Sequence, residues 1–581
     1  MKATNAGRWQ RWLPLSLGLL VSLPALGVGL LHDDFLYRIA VTQVIETWDP
    51  GLFGLYAFTS EPEIGQRWRE LSHLPWWTSD NFHLAFFRPL SSFLLWMDLG
   101  VFGDAIWTAH LRSIVLFLAL VAVVAALHRR LTDSGTACLA SVVYAVAGAH
   151  LLPTAWISAR HALVSSVPGL FALLLHLKWR EDGSRFAKGL APVMVVISML
   201  GGELCLSALV LLFSYELLGR SDTFRRRLAA LAPYTLLAAG YIIFYVANDY
   251  GARGIGLYVS PVADPVRFLA LGIERIPILL GELIIATPAT FVVSRPDLQP
   301  AFAVWGASVT VLAAIMLVLM RRRLEPRERV ALRWLLPGAV VALLPGAAGV
   351  IGGRAILPSL VGSSLLVALL MRRGLAAARD RSVPRPGRMA LWVAVVVLTF
   401  AHLVCAPVLI RVGFALLVRH VGHETVRIAA TVPEDCGPHY VLLAAADPVL
   451  NTYAPAAMSP ARTIGTFRVI SLAPNDHRLE NVTHTGFDLR VIGERGPNFW
   501  EWVHREVPLK TGDVVDLPDL SVEILEAGRN GPTGFRVDLR RSLDDPELCL
   551  LDWRDGAFRR VPPPAPGQTI DLEHQLGPLA M

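Results

Sequence analysis

Two adjacent carboxylates, Asp33 and Asp34, stand in the run His32-Asp33-Asp34-Phe35 immediately after an apolar block. At the mouth of a membrane domain an unpaired carboxylate is costly, so such a pair either faces water or serves a cation or a substrate. A carboxylate can also take a proton from an attacking hydroxyl. The plain alternative is a solvated helix cap at the membrane surface. Guanidinium groups recur further on. Arg88-Pro89-Leu90 is followed by Asp98, Phe102-Gly103 and His110; the run Ala155-Trp156-Ile157-Ser158-Ala159-Arg160-His161 follows His150; and Arg354 lies in Gly352-Gly353-Arg354 ahead of Leu357-Pro358-Ser359. An Arg so placed either snorkels to headgroups or binds a phosphate, for which its forked geometry is suited. His150 and His161, taken singly, read as satisfied interfacial histidines.

The elements that must hold these residues are membrane spans. The chain has 581 residues, 54% hydrophobic and 17% charged, and a soluble domain carries roughly 25% charge. The mean hydropathy of +0.49 agrees. Apolar blocks of bilayer length fall at 13–31, 107–127, 138–152, 163–177, 190–200, 204–218, 228–247, 301–320, 334–351, 356–371 and 389–410, which predicts about eleven spans. Lys2, Arg8 and Arg11 precede the first block as in a signal peptide, but the block is long and no small-x-small site follows, so it reads as an uncleaved first span. The basic clusters 128–130, 178–188, 225–227, 321–323 and 372–373 all fall on the side of the N-terminus, the cytoplasmic side by the positive-inside rule. The odd span number exports the tail. The stretch 268–287 contains Glu274, Arg275 and Glu282 and is predicted as an interfacial or re-entrant helix.

The predicted fold is therefore an all-α polytopic membrane domain over 1–411 and a small β-rich exported domain over 412–581. The first exported loop, 32–106, carries Trp48, Trp68, Trp76 and Trp77, a composition suited to interfacial helices. In the tail, alternating runs at 440–445, 468–472, 514–517, 521–525 and 535–539 are broken by Gly, Pro, Asn and Asp, which predicts strands. Cys436 and Cys549 are either a disulfide or two buried thiols. No Cys or His spacing suggests a metal site. The net charge of +6 sits at span ends instead of on one amphipathic face, which argues against nucleic acid.

Taken in order, these positions resemble C-type glycosyltransferases of the GT-C fold. They are most similar to bacterial relatives of dolichyl-phosphate-mannose protein O-mannosyltransferases and to tetratricopeptide-bearing transmembrane O-mannosyltransferases. The resemblance is carried by Asp33-Asp34, Arg88-Pro89-Leu90 with Asp98 and Phe102-Gly103, His110, the turn from Ala155 to Arg160, Glu203 with Tyr215 to Leu218, and Arg354 with Pro358-Ser359. It spans about the first two-thirds of the chain. Where relatives have acidic residues after His150 and Arg160, this chain has Leu152 and Ala162, and Gly202-Glu203 replaces a Lys-Glu pair.

The resemblance implies sugar transfer from a polyprenyl-phosphate carrier to an exported protein, lipid or glycan acceptor; the expected location is a bacterial inner membrane, with an endoplasmic-reticulum membrane as the alternative. It implies a general base at Asp33 or Asp34, donor-phosphate binding by Arg88, Arg160 and Arg354, and substrate contacts from His110, His150 and Glu203. No cofactor is implied; a divalent metal is compatible with the chemistry without being required by it. The rival expectation is a non-enzymatic transporter, flippase or assembly factor for a lipid-linked glycan. A transporter carries ionisable residues near the membrane midplane, whereas here they gather at the exported ends.

Overall fold

The computed structural model describes residues 6–42, 50–59, 61–293, 295–445, 447–458 and 464–577; Lys2 and Trp48 lie outside them. Among the described residues, seven helices are long and apolar enough to cross a membrane: Ile106–Leu131, Ser158–Asp182, Phe224–Ala247, Pro296–Arg323, Pro326–Ala347, Leu360–Arg379 and Arg385–Ala429. An eighth forms if Ser134–Val146 and Gly148–Ala155 are one span bent by 46°. The chain is an integral membrane protein. The difference from the eleven expected spans lies in short helices. Ala6–Ser22 and Arg185–Gly201 have 17 residues each, and Cys205–Ser214 has only 10 before a wider turn to Gly219. Each is a helix where the sequence predicts one, but shorter than the roughly 20 residues that a straight crossing needs.

Helix Pro265–Ile285 carries the charges of the doubtful stretch, and its polar groups find backbone partners. Arg275 donates to the carbonyls of Ala347 (2.7 Å) and Leu257 (3.2 Å), and Glu282 accepts from the Ala289 N–H at 3.0 Å. The last long helix does not stop at residue 411. It runs to Ala429, and the first strand of the tail begins at His439.

The tail folds into two sheets, as its alternation predicts. In the six-stranded sheet the antiparallel order is Ile570–Leu572, His477–Glu480, Gly486–Val491, Gly531–Asp538, Ser521–Gly528, Val514–Asp516. In the four-stranded sheet, Leu548–Arg554, His439–Ala444 and Thr466–Ser471 run parallel, with Ala557–Arg560 antiparallel at the edge. Cys436 and Cys549 are bonded, their Cα atoms 5.4 Å apart.

The first loop and this domain share one apolar core. Phe35, Tyr37, Trp76 and Trp77 pack in the same cluster as Leu442, Leu472, Phe535 and Leu551. Polar contacts reinforce the seam: the Trp76 indole N–H donates to the Val469 carbonyl at 2.9 Å, and Arg468 donates to the carbonyls of Arg69 and Glu70, both at 2.6 Å. The helix bundle has a separate core. The candidate site lies where the two cores meet, at the start of the first loop.

Candidate active site

His32 has φ +47°, a left-handed conformation uncommon outside glycine, and this turn starts the helix Asp33–Thr42. Both aspartates therefore sit in a first helical turn, where the helix dipole favours negative charge. Their surroundings differ. Asp34 is fully buried and accepts three hydrogen bonds, from the Leu31 N–H (3.1 Å), the Ser158 N–H (2.9 Å) and the Ser158 hydroxyl. Burial nevertheless pushes its carboxyl up to about 7. Asp33 is partly exposed and accepts from one group, the Tyr453 hydroxyl, at 3.1 Å. Desolvation raises its carboxyl above the ordinary range, against the pull of Tyr453 and of the Arg354 charge.

Arg354 is placed by a close approach. It lies in the short turn Gly353–Ala355, where a Cβ on Gly353 would fall 2.3 Å from the Ala149 Cα, so only glycine lets the two backbones meet. Its guanidinium carbon lies 5.3 Å from the centre of the Trp156 ring. Among the described residues it has no hydrogen-bond or ion-pair partner, and neither has the buried Trp156 indole N–H. Trp156 continues into an aromatic file: His32 lies edge-on to it at 5.7 Å, and Tyr453 lies 5.0 Å from His32. The Arg354 charge acts on Asp33, yet no ion pair within 4 Å joins them. The Asp33 carboxylate and the Arg354 cation, unpaired among the described residues, are thus more than 4 Å apart but within electrostatic reach. Tyr258 also feels Arg354, Arg88, Asp33 and Glu203; burial raises its phenol.

Arg88 is held differently. Gly202 ends the helix Arg185–Gly201 at φ +142°, a conformation open to glycine, and the turn sets Glu203 against Arg88. Arg88 donates through Nε (2.9 Å) to a Glu203 oxygen that also lies 2.8 Å from its Nη2, and the other Glu203 oxygen accepts from the Tyr245 hydroxyl at 3.2 Å. The guanidinium carbon also lies 4.2 Å from the Phe86 ring centre and 5.1 Å from that of Tyr56.

The remaining sequence candidates are engaged by partners of their own. Arg160 is buried, paired with Asp98, which Arg112 also binds, and donates to the Ala109 carbonyl at 3.3 Å. His110 bridges the carbonyls of Gly29 (2.9 Å) and Thr154 (3.4 Å). His150 is buried against Phe117 and Tyr144, with one ring nitrogen 3.0 Å from the Tyr144 carbonyl oxygen. One acidic group among the described residues is tight enough to hold a cation, Asp133 with Glu325 and Glu328. It lies far along the chain's elements from Asp33, and Arg372 and Arg373 already neutralise it. Three residues of the site, Tyr258, Tyr453 and the ring of His32, are not evident from sequence; His32 is signalled only by adjacency to Asp33.

No protein-family model matches the chain, and no curated protein matches it. Solved structures show distant likeness. ArnT from Cupriavidus metallidurans bound to undecaprenyl phosphate is 13% identical, covers 79% of this chain and 89% of its own, with a TM-score of 0.39. The archaeal oligosaccharyltransferase AglB from Archaeoglobus fulgidus, in complex with an inhibitory peptide and a dolichol-phosphate, is 13% identical with a TM-score of 0.38; the match covers 74% of this chain and 59% of AglB. At TM-scores below 0.5 nothing about this chain follows from either.

Proposed function

We propose that this chain is a membrane glycosyltransferase that moves a sugar from a polyprenyl-phosphate carrier to an acceptor hydroxyl, at the face of a bacterial inner membrane that carries the C-terminal domain, the periplasmic face. The observation that carries this reading is Arg354, unpaired among the described residues and stacked on Trp156, within electrostatic reach of the partly buried Asp33. Asp33 takes the proton of the acceptor hydroxyl as its oxygen bonds to the anomeric carbon. The bond from that carbon to the phosphate oxygen breaks on the opposite face, with inversion. The departing lipid phosphate is held by the Arg354 guanidinium and the Trp156 N–H, donors with no other hydrogen-bond partner among the described residues. Asp34 fixes the start of its helix through Ser158 and Leu31. Arg88, whose charge Glu203 neutralises, serves as a fixed structural support beside the site.

The test is transfer by purified protein from a panel of labelled polyprenyl-phosphate sugars, with Asp33→Asn as the control. The expected result is labelled acceptor with wild type and a loss of two to four orders of magnitude in the variant. Movement of the lipid across a bilayer with no transfer by wild type would establish the transporter alternative instead.

A further inference from the structure

The hydroxyl of Tyr453 comes from the C-terminal domain, 420 residues along the chain from the carboxylate that it meets. Tyr453 ends the turn Val449–Tyr453, which follows strand His439–Ala444. Its ring is buried between His32 at 5.0 Å and Trp500 at 6.3 Å, so it has little freedom to turn away. Its single hydrogen bond points at Asp33 Oδ1. The strand before it is tied through Cys436 and Cys549 to the parallel strand Leu548–Arg554.

We propose that Tyr453 is a positioning residue for Asp33, so that the C-terminal domain completes the active site of the membrane domain. The proposal rests on the glycosyltransferase reading for its catalytic consequence, but the contact itself does not. A phenol donating to one carboxylate oxygen fixes the rotamer of Asp33 and leaves the second oxygen free for the acceptor proton. It also favours the ionised carboxylate, the form a base must have. The groups that face Asp33 are Tyr453 from the C-terminal domain, Arg354 and Tyr258 from the bundle loops, Tyr56 from the first loop, and His32, Asp34 and Tyr37 from its own segment. Burial lowers His32 to about 4, so it stays neutral across the working range and does not mask the effect.

The experiment compares full-length wild type with Tyr453→Phe, which keeps the ring contacts and removes the donor. The acid limb of kcat/KM should move to higher pH by about half to one unit, because removing a donor that favours the ionised carboxylate raises the carboxyl's pKa. KM for the lipid donor should not change, and turnover should recover at high pH. A rate lowered equally at every pH would mark a merely structural residue and overturn the proposal. A second readout needs no activity: Asp33 is labelled by a carbodiimide and an amine, which react with the protonated carboxyl, and followed by peptide mass spectrometry across pH. The labelling midpoint should shift in the same direction and by a similar amount. An unmoved midpoint also overturns the proposal. If wild type transfers no sugar, the functional reading fails while the labelling still tests the contact.

Discussion

Arg88 directs two nitrogens, at 2.9 and 2.8 Å, onto a single carboxylate oxygen of Glu203, and so differs from Arg354, which has no acidic partner among the described residues. The two arginines should therefore fail differently. Arg88→Ala strands a largely buried Glu203 and should cost about 1–3 kcal/mol of stability, read as a lower thermal midpoint in detergent. Arg354→Ala should leave the midpoint unchanged and weaken binding of the phosphorylated carrier roughly ten- to hundredfold. Arg354→Lys should restore only part of that, since an ammonium supplies charge without the fork. Equal stability losses in both alanine variants would contradict the distinction.

The two aspartates should separate in the same way. Asp33→Asn keeps the fold and loses turnover, because an amide cannot take the proton. Asp34→Asn turns an N–H group toward donors that need acceptors, at a cost of about 1–3 kcal/mol in stability.

The Asp34 carboxyl adds a pH dependence. Its folded value, about 7, lies above the ordinary 3.8, so the fold binds the proton more tightly than the unfolded chain does. That contribution to stability is full below pH 3.8 and is lost as pH rises through about 7. Thermal midpoints measured from pH 5 to 8 should accordingly change less in Asp34→Asn than in wild type. An identical pH slope in the two proteins would count against the shift.

The bond between Cys436 and Cys549 encloses the segment that carries Tyr453, over a separation of 113 residues. Both thiols should resist alkylation under denaturing, non-reducing conditions. On the chain-entropy model the crosslink stabilises the domain by about 5 kcal/mol. The double Cys436→Ser/Cys549→Ser variant should unfold its C-terminal domain earlier and lose turnover with it. Free thiols in mature protein would contradict the bond.

Reporters inserted between Ala429 and His439 should be active outside the cytoplasm, and reporters in the segment after Arg323 should be active inside it. A cytoplasmic C-terminal domain would place Asp33 on the wrong side for an exported acceptor.

What the sequence determines here is local. Apolar blocks and their basic ends specify helices and where they turn; alternation in the tail specifies strands at 440–445 and 521–525, found at His439–Ala444 and Ser521–Gly528. Both signals are short-range, because helix and strand periodicities repeat within a few residues. The order of the Asp, Arg and Glu residues is likewise readable along the chain. The division of labour among those residues depends on contacts between distant segments. Arg160 is neutralised by Asp98, 62 positions away, and Arg88 by Glu203, 115 away, whereas Arg354 stacks on Trp156 with no acidic partner among the described residues. Asp33 and Asp34 are adjacent and chemically identical in sequence. They differ because a helical turn points one at the amide and hydroxyl of Ser158 and the other at the hydroxyl of Tyr453, from the C-terminal part of the chain. Charge pairing and desolvation depend on three-dimensional distance, and no local periodicity encodes them.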